Sequence, residues 1–435
     1  MSKDLGSSMT PNPSRSWKLP LWQSLLPLGR SDETGGYRRF SFTPADMACR
    51  TWFRHEAEKR GLRVEADRNS NLWAWWDPPA SVLPAGPDAG PESSPDGTSG
   101  AIVTGSHLDS VPDGGPFDGP LGIVSAFVAI DLLAGAGRVP VRPVGVVAFT
   151  EEEGARFGVA CLGSRLLTGA VSPDAARALT DADDVGLADA MTAAGLEPAV
   201  IGPDPERLGG IDAFIELHIE QGSALDGMGA AVGVAESIWP HGRWRIDFTG
   251  RADHAGTTKL ADRHDPMLPY AATVLAARTV ATELGALATF GKVVAEPGAA
   301  NAISSAVHAW LDARAPNEES LKELASQVTA VAQLSGTSHS VSVTSRCDSL
   351  SPIVEFDRDL RDRVVTALAR RGIEAPVLPT GAGHDAGVLA TGLPTAMLFV
   401  RNPSGISHSP AEHAEPEDCE AGVVALAAVL EELAC

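Results

Sequence analysis

The chain has 435 residues, of which 44% are hydrophobic, enough for a substantial core and, as a soft prior, two domains. Its formal charge is −22, with 56 acidic residues against 34 basic ones. That balance excludes nucleic acid or an anionic membrane as partner, since both need a basic face, but leaves open a small anionic substrate held by one local Arg.

Residues 1–16 are polar and read as a loose tail without the apolar core of a signal peptide. Met47, Trp52, Phe53 and Ala57 recur at helical intervals and predict a helix over Pro44–Gly61. Leu62–Trp76 reads as strands around a turn at Asn69-Ser70-Asn71, and Pro78–Gly100 as an exposed loop insertion rich in Pro, Gly, Ser and Asp. From Ala101 strand and helix alternate: a buried strand at Ile102–Thr104 leading to His107, a helix over Leu121–Ala136, and strands over Val144–Thr150 and Asp212–Leu217, the last ending at His218. Such alternation implies an α/β sheet, with ligands gathering beyond the carboxyl ends of its strands.

The stretch 228–346 differs. Strands are expected at Ala231–Glu236, Trp244–Thr249, Gly291–Glu296 and Ala306–Ala313, with helices at Met267–Glu283 and Glu318–Leu334. The expected fold is therefore α/β: a discontinuous catalytic domain (1–227 and 347–435) with a central mixed sheet flanked by helices, and an inserted α+β lid or dimerisation domain. Cys49, Cys161, Cys347, Cys419 and Cys435 are odd in number and unpaired in spacing, which suits a reduced cytoplasm better than a disulfide framework. No run of about 18 apolar residues suggests a membrane span.

Five scattered residues have the chemistry of one dinuclear metal site: His107, Asp118, Glu153, His218 and His408. Imidazole and carboxylate together suit zinc, with manganese or cobalt as alternatives. Taken singly, each has an ordinary explanation. A run such as Glu151-Glu152-Glu153 is usually a solvated loop, and a histidine after Phe214-Ile215-Glu216-Leu217 is usually a core residue. The acidic run, however, follows an apolar strand and precedes Gly154, so one carboxylate can bind metal while its neighbour acts as general base. Asp109, two residues beyond His107, is placed to orient it.

The motifs GSHLDSVPDGGPFDG, TEEEGARFG, ELHIEQG, GRADHAGTT, GAGHDA and GISHSPAE together resemble the dinuclear zinc amidohydrolases and peptidases, in particular the branch of allantoate amidohydrolase, N-carbamoyl-L-amino-acid hydrolase and β-alanine synthase. The resemblance implies two divalent ions bridged by Asp118, one completed by His107 and His218 and the other by Glu153 and His408. It implies Glu152 as general base, His254 as a donor to the oxyanion, reaching across to the other subunit of a homodimer, and Gln221, Asn301 and Arg314 as substrate contacts. It gives His384 and Asp385 a place near the site but no role. Peptidases and aminoacylases of this superfamily usually carry a carboxylate where His218 stands, whereas carbamoyl and ureido hydrolases carry His. Lys259, Pro120, the Pro78–Gly100 insertion and Trp73, Trp75 and Trp76 depart from the family pattern.

The expectation is a cytoplasmic homodimeric hydrolase of the linear amide or ureide C–N bond in a small carboxylate-bearing acid. Allantoate or an N-carbamoyl-L-amino acid is the substrate expected. An aminoacylase or dipeptidase is the alternative within the superfamily. A non-catalytic binding protein is the alternative outside it, and retention of the base and all ligands speaks against that reading.

Overall fold

A computed structural model describes residues 20–80 and 100–435. The expected loose tail, and the body of the expected Pro78–Gly100 insertion, lie outside the described residues. The chain forms two compact units. The first comprises residues up to Glu236 with Phe356–Leu378 and Gly383–Cys435, and the second Ser237–Glu355 with Pro379–Ala382.

The sheet of the first unit runs in the order Arg63–Ala66, Leu72–Trp76, Val144–Phe149, Ala101–His107, Ile211–Ile219, Thr395–Val400 and Val232–Ile238. Ala101–His107 pairs in parallel with both of its neighbours, and Thr395–Val400 pairs in parallel with Ile211–Ile219. The flanking pairs are antiparallel, so the sheet is mixed. Every residue of Ala101–His107, Val144–Phe149 and Thr395–Val400 is buried. Helices cover both faces of such strands, which is why they read as unbroken apolar runs and not as alternation. The helices Pro120–Gly135 and Pro416–Ala434 pack on each other, and Leu121, Phe127, Leu426 and Leu430 join one core with Ile215 and Leu398.

The helix expected over Pro44–Gly61 spans Pro44–Lys59 and ends just short of Gly61, because Gly61 sits at φ +70° beyond the cap. Thr43 caps it, and proline at its first position needs no helical N–H partner. Arg50 of this helix donates to Asp46, to the Ser70 carbonyl and to Thr150 Oγ1, each within 2.9 Å. It thereby ties the Asn69–Asn71 turn to the start of the acidic loop. Asn71 Oδ1 completes the tie by accepting the Thr150 N–H at 3.0 Å. Trp73 is buried by the same turn, its Nε1–H donating to Asp67 at 3.1 Å.

The second unit is a four-stranded antiparallel sheet in the order Ser342–Ser351, His241–Thr249, Ala306–Arg314, Leu287–Glu296, covered on one face by helices Met267–Glu283 and Glu318–Ser338. Alternate residues of Ala306–Arg314 are buried, and Val307, Ala309, Leu311 and Ala313 point into a core with Ile246, Phe248, Leu324 and Val328. One covered face gives this period-two pattern. The unit bounds differ from the expected 228 and 346 for a structural reason. Val232–Ile238 pairs with Thr395–Val400 in the first sheet, and Ser342–Ser351 follows His241–Thr249 well past residue 346.

Candidate metal centre

Four stretches of the first unit converge at the carboxyl ends of the parallel strands. His107 is the last residue of its strand, and His218 lies inside Ile211–Ile219, one residue before its end rather than beyond it as expected. Asp118 sits in the loop before Pro120–Gly135. Gly119 beside it adopts φ +86°, and a Cβ there would fall 2.5 Å from the His107 ring, so no other residue fits. Glu153 follows the Val144–Phe149 strand, and His408 comes from the loop after Thr395–Val400 at φ 54°.

The two oxygens of Asp118 face different partners. Oδ1 lies 3.2 Å from His218 Nε2 and 3.6 Å from His107 Nε2. Oδ2 lies 3.4 Å from His408 Nε2, which is itself 3.6 Å from Glu153 Oε2. Two ligand groups result, His107–Asp118–His218 and Asp118–Glu153–His408, joined through Asp118. The buried atoms His107 Nε2, His218 Nε2 and Glu153 Oε1 have no hydrogen-bond partner among the described residues. His218 Nδ1 lies 2.8 Å from the Ile219 carbonyl, which fixes the N–H there and leaves the Nε2 lone pair free. Unpartnered buried donors of this kind fit divalent cations.

The electrostatics agree. Burial opposes charge on His107, yet Glu152, Asp109 and Asp118 hold its pKa well above the ordinary range. Burial and then Asp118 push Glu153 up to about 7. Burial works against the Asp118 charge too, but the three imidazoles beside it, His107, His218 and His408, keep its carboxyl well below the usual carboxylate range.

The three glutamates divide. Glu151 Oε1 accepts the N–H groups of Arg156 and Phe157 at 3.0 and 2.8 Å, so it closes the turn of its own loop. Glu152 Oε2 lies 3.7 Å from His107 Nε2, and its Oε1 accepts from Cys161 Sγ at 3.2 Å. Asp109 stands beside His107 and the acidic loop, its backbone carbonyl 3.2 Å from His107 Nδ1. Its Oδ1 lies 3.4 Å from His107 Nδ1, and its two oxygens accept the N–H groups of Glu152 and Glu153. Gln221 donates to Asp118 Oδ2 at 2.8 Å. Behind His218, the His384 ring lies tilted at 59° with its centroid 4.5 Å away, and Glu216 accepts from Ser106 Oγ and the Ala386 N–H. Glu216, His218 and His384 form a third group of ligand type.

His254, Asn301 and Arg314 belong to the second unit. His254 pairs with Ala302 in a two-stranded ladder, and the Ala255 N–H donates to the Asn301 carbonyl at 3.2 Å. His254 Nδ1 accepts the Gly256 N–H at 3.0 Å, so in the neutral ring Nε2 carries the proton. Arg314 ends its strand, donating to Asp312 at 3.1 Å and to the Gly381 carbonyl.

Residues 103–432 match the peptidase family M20/M25/M40. The chain belongs to that family. Over 93% of its length it is 34% identical to the N-carbamoyl-L-amino acid amidohydrolase of Geobacillus stearothermophilus, covering 96% of that protein. It is 30% identical to the allantoate amidohydrolase of Escherichia coli, over 93% of this chain and 94% of that one. The crystal structure of a hydantoinase/carbamoylase family amidase from Burkholderia ambifaria superposes with a TM-score of 0.80 at 30% identity, covering 95% of this chain and 97% of the other. The family is one of metal-dependent hydrolases, and the groups around Asp118 are candidate ligand sets for this member.

Two residues near the site escaped the sequence reading, Cys161 and Glu412. Cys161 has no sequence signal, since nothing in a lone thiol nine residues beyond Glu152 points to contact with it. Glu412 closes the GISHSPAE motif, but an acid in a polar loop reads as solvated. In the structure it is buried, and its Oε1 accepts the N–H groups of Phe117 and Asp118.

Proposed function

We propose that this M20-family hydrolase binds two divalent ions through His107, Asp118, Glu153, His218 and His408, zinc first, and cleaves the linear C–N bond of a small ureido or N-carbamoyl acid. Allantoate and N-carbamoyl-L-amino acids are the substrates that the relatives' names suggest. The observation that carries the reading is the Asp118 carboxylate, whose two oxygens face two separate sets of donors while Glu152 stands beside one of them. Bound ions there would polarise the scissile carbonyl and acidify the attacking water.

The chain's own groups do the rest. Glu152 takes the proton of the attacking water and passes it to the departing nitrogen. Burial raises its pKa well above the usual carboxylate range in the metal-free chain, the direction that favours holding a proton. The Cys161 contact occupies one of its oxygens and leaves the other toward His107. His254, with its proton on Nε2, donates to the developing oxyanion. Arg314 grips the substrate carboxylate with its planar fork, and Asn301 and Gln221 add neutral contacts. The working form is a homodimer in which His254 serves the active site of the other copy. The setting is the cytoplasm; no helix among the described residues is long and apolar enough to cross a membrane.

An ammonia-release screen tests the reading, with allantoate, ureidoglycolate, N-carbamoyl amino acids and N-acyl amino acids as substrates and Zn, Mn or Co supplied in turn. Ammonia from a ureido or carbamoyl acid is expected. Carboxylic acid from an N-acyl amino acid, with no ammonia from the others, would establish the aminoacylase alternative instead.

A further inference from the structure

We propose that Glu412 is a positioning residue for Asp118: it holds the Phe117–Asp118 backbone so that the carboxylate faces both sets of donors, and divalent-cation affinity depends on it. The inference rests on the reading that Asp118 holds ions.

The loop that carries Asp118 contains Gly114, Gly115, Pro116 and Gly119, and Asp118 itself is in neither strand nor helix. No ladder therefore fixes the direction of its side chain. Glu412 supplies what the loop lacks. Its Oε1 accepts two consecutive N–H groups, from Phe117 at 2.9 Å and Asp118 at 3.0 Å, which sets the orientation of that peptide. Its partners are backbone donors and a hydroxyl, not a cationic side chain.

The same carboxylate reaches the opposite ligand segment. Glu412 Oε2 lies 3.5 Å from Ser407 Oγ, which is 3.4 Å from Asp118 Oδ2, and Ser407 immediately precedes His408. The Glu412 N–H closes the turn after His408 by donating to the Ser409 carbonyl at 3.0 Å. Glu412 thus links two ligands, Asp118 and His408, that are far apart in the chain. The loop is closed tightly over it, since a Cβ on Gly115 would lie 2.4 Å from the Glu412 side chain. Asp109 stands in the same relation to Glu153, accepting the consecutive N–H groups of residues 152 and 153. The site is therefore framed by two acids that orient ligand-bearing backbone without being ligands themselves. Groups that orient ligands in this way usually carry a ten- to hundredfold share of metal affinity.

The test is a zinc titration of the full-length, metal-stripped chain against a chromophoric chelator, with melting of each metal-free variant measured alongside. Glu412→Ala should weaken zinc binding by about ten- to hundredfold. Glu412→Gln keeps an oxygen for both N–H groups and should stay within about threefold of wild type. If Glu412→Ala does not fold, Glu412→Asp takes its place: its acceptor is retracted by one methylene, and zinc affinity should fall about tenfold while metal-free melting is unchanged. Wild-type affinity in the folded Ala or Asp variant overturns the proposal. So does a Gln variant that falls as far as Ala. Asp118→Ala is the control: if it binds zinc as wild type does, the metal-centre reading fails, and this inference fails with it.

Discussion

Replacing Glu152 with Gln separates the chemistry of the site from its construction. The amide keeps the volume of the side chain and an oxygen for the Cys161 thiol at the present 3.2 Å contact, but it cannot take a proton. Loss of a general base costs about 10²- to 10⁴-fold in turnover, or roughly 2.7–5.5 kcal/mol of barrier. Metal content and KM should change little, because Glu152 belongs to neither ligand group around Asp118. Stability gives a second and opposite signature. In the metal-free chain Glu152 is 6% exposed, and burial followed by Asp385, Glu153 and Asp109 raises its pKa despite the opposing pull of His107. An acid with a raised folded pKa contributes stability that is present at low pH and lost as pH rises. At neutral pH the uncharged Gln removes that penalty, so the metal-free variant should melt above metal-free wild type. The assays are ammonia release under saturating substrate, elemental analysis, and calorimetry of stripped protein. Near-normal turnover would refute the assignment outright. A variant that loses metal and melts lower would show that Glu152 serves the construction of the site and not its chemistry.

Three further outcomes are expected. Arg314→Lys should raise KM sharply with less effect on kcat, since an ammonium cannot reproduce the two-point grip, and wild type should discriminate against the methyl ester of its best substrate; equal efficiency on acid and ester would contradict carboxylate recognition. His254→Ala mixed with Glu152→Gln should recover about a quarter of wild-type activity, because half of randomly mixed dimers have one complete site; no recovery despite subunit exchange would mean that each chain supplies its own His254. In the metal-free chain, burial raises Glu151, Glu153 and Glu412 from 4.5 to about 7, and the Asp118 hydrogen bond raises His408 from 6.5 to about 9. All four raised groups bind protons more tightly when folded, so their stabilisation is complete below the unfolded values and is lost as pH rises to about 9. Asp118 acts in the opposite sense, but only below 3.8. Metal-free protein should therefore melt higher at about pH 6 than at about pH 8.5, and metal binding at neutral pH should release protons into weak buffer; a melting point that rises with pH over that interval would contradict the charge assignment.

The proposed ligand residues stood out in the sequence because a metal-binding side chain coincides with a local device that aims it. His107 ends an apolar strand, Asp118 precedes a glycine that must lie against the His107 ring, and Glu153 follows a buried strand. The two-unit organisation showed in the change from unbroken apolar strands to the alternation of Ala306–Arg314. The exact divisions did not show, because hydrogen-bonded pairing assigns Val232–Ile238 to one sheet and Ser342–Ser351 to another, and local pattern does not report pairing. Glu151 and Glu152 could not be told apart by type. Only the fold shows that one closes its own turn through two backbone N–H groups while the other faces His107. Glu412 was hidden for a related reason: its backbone partners lie nearly three hundred residues earlier, and an acid that accepts from backbone leaves no complementary charge in the sequence to find it by.

A two-ion hydrolytic centre joined through Asp118 is read most plainly from metal stoichiometry. Stripped protein reconstituted with excess zinc, passed through a desalting column and submitted to elemental analysis should hold about two ions per chain. Asp118→Ala, which removes the only residue shared by both groups of donors around that loop, should lose both. Saturation at one ion in wild type, or two ions retained by Asp118→Ala, would contradict the account.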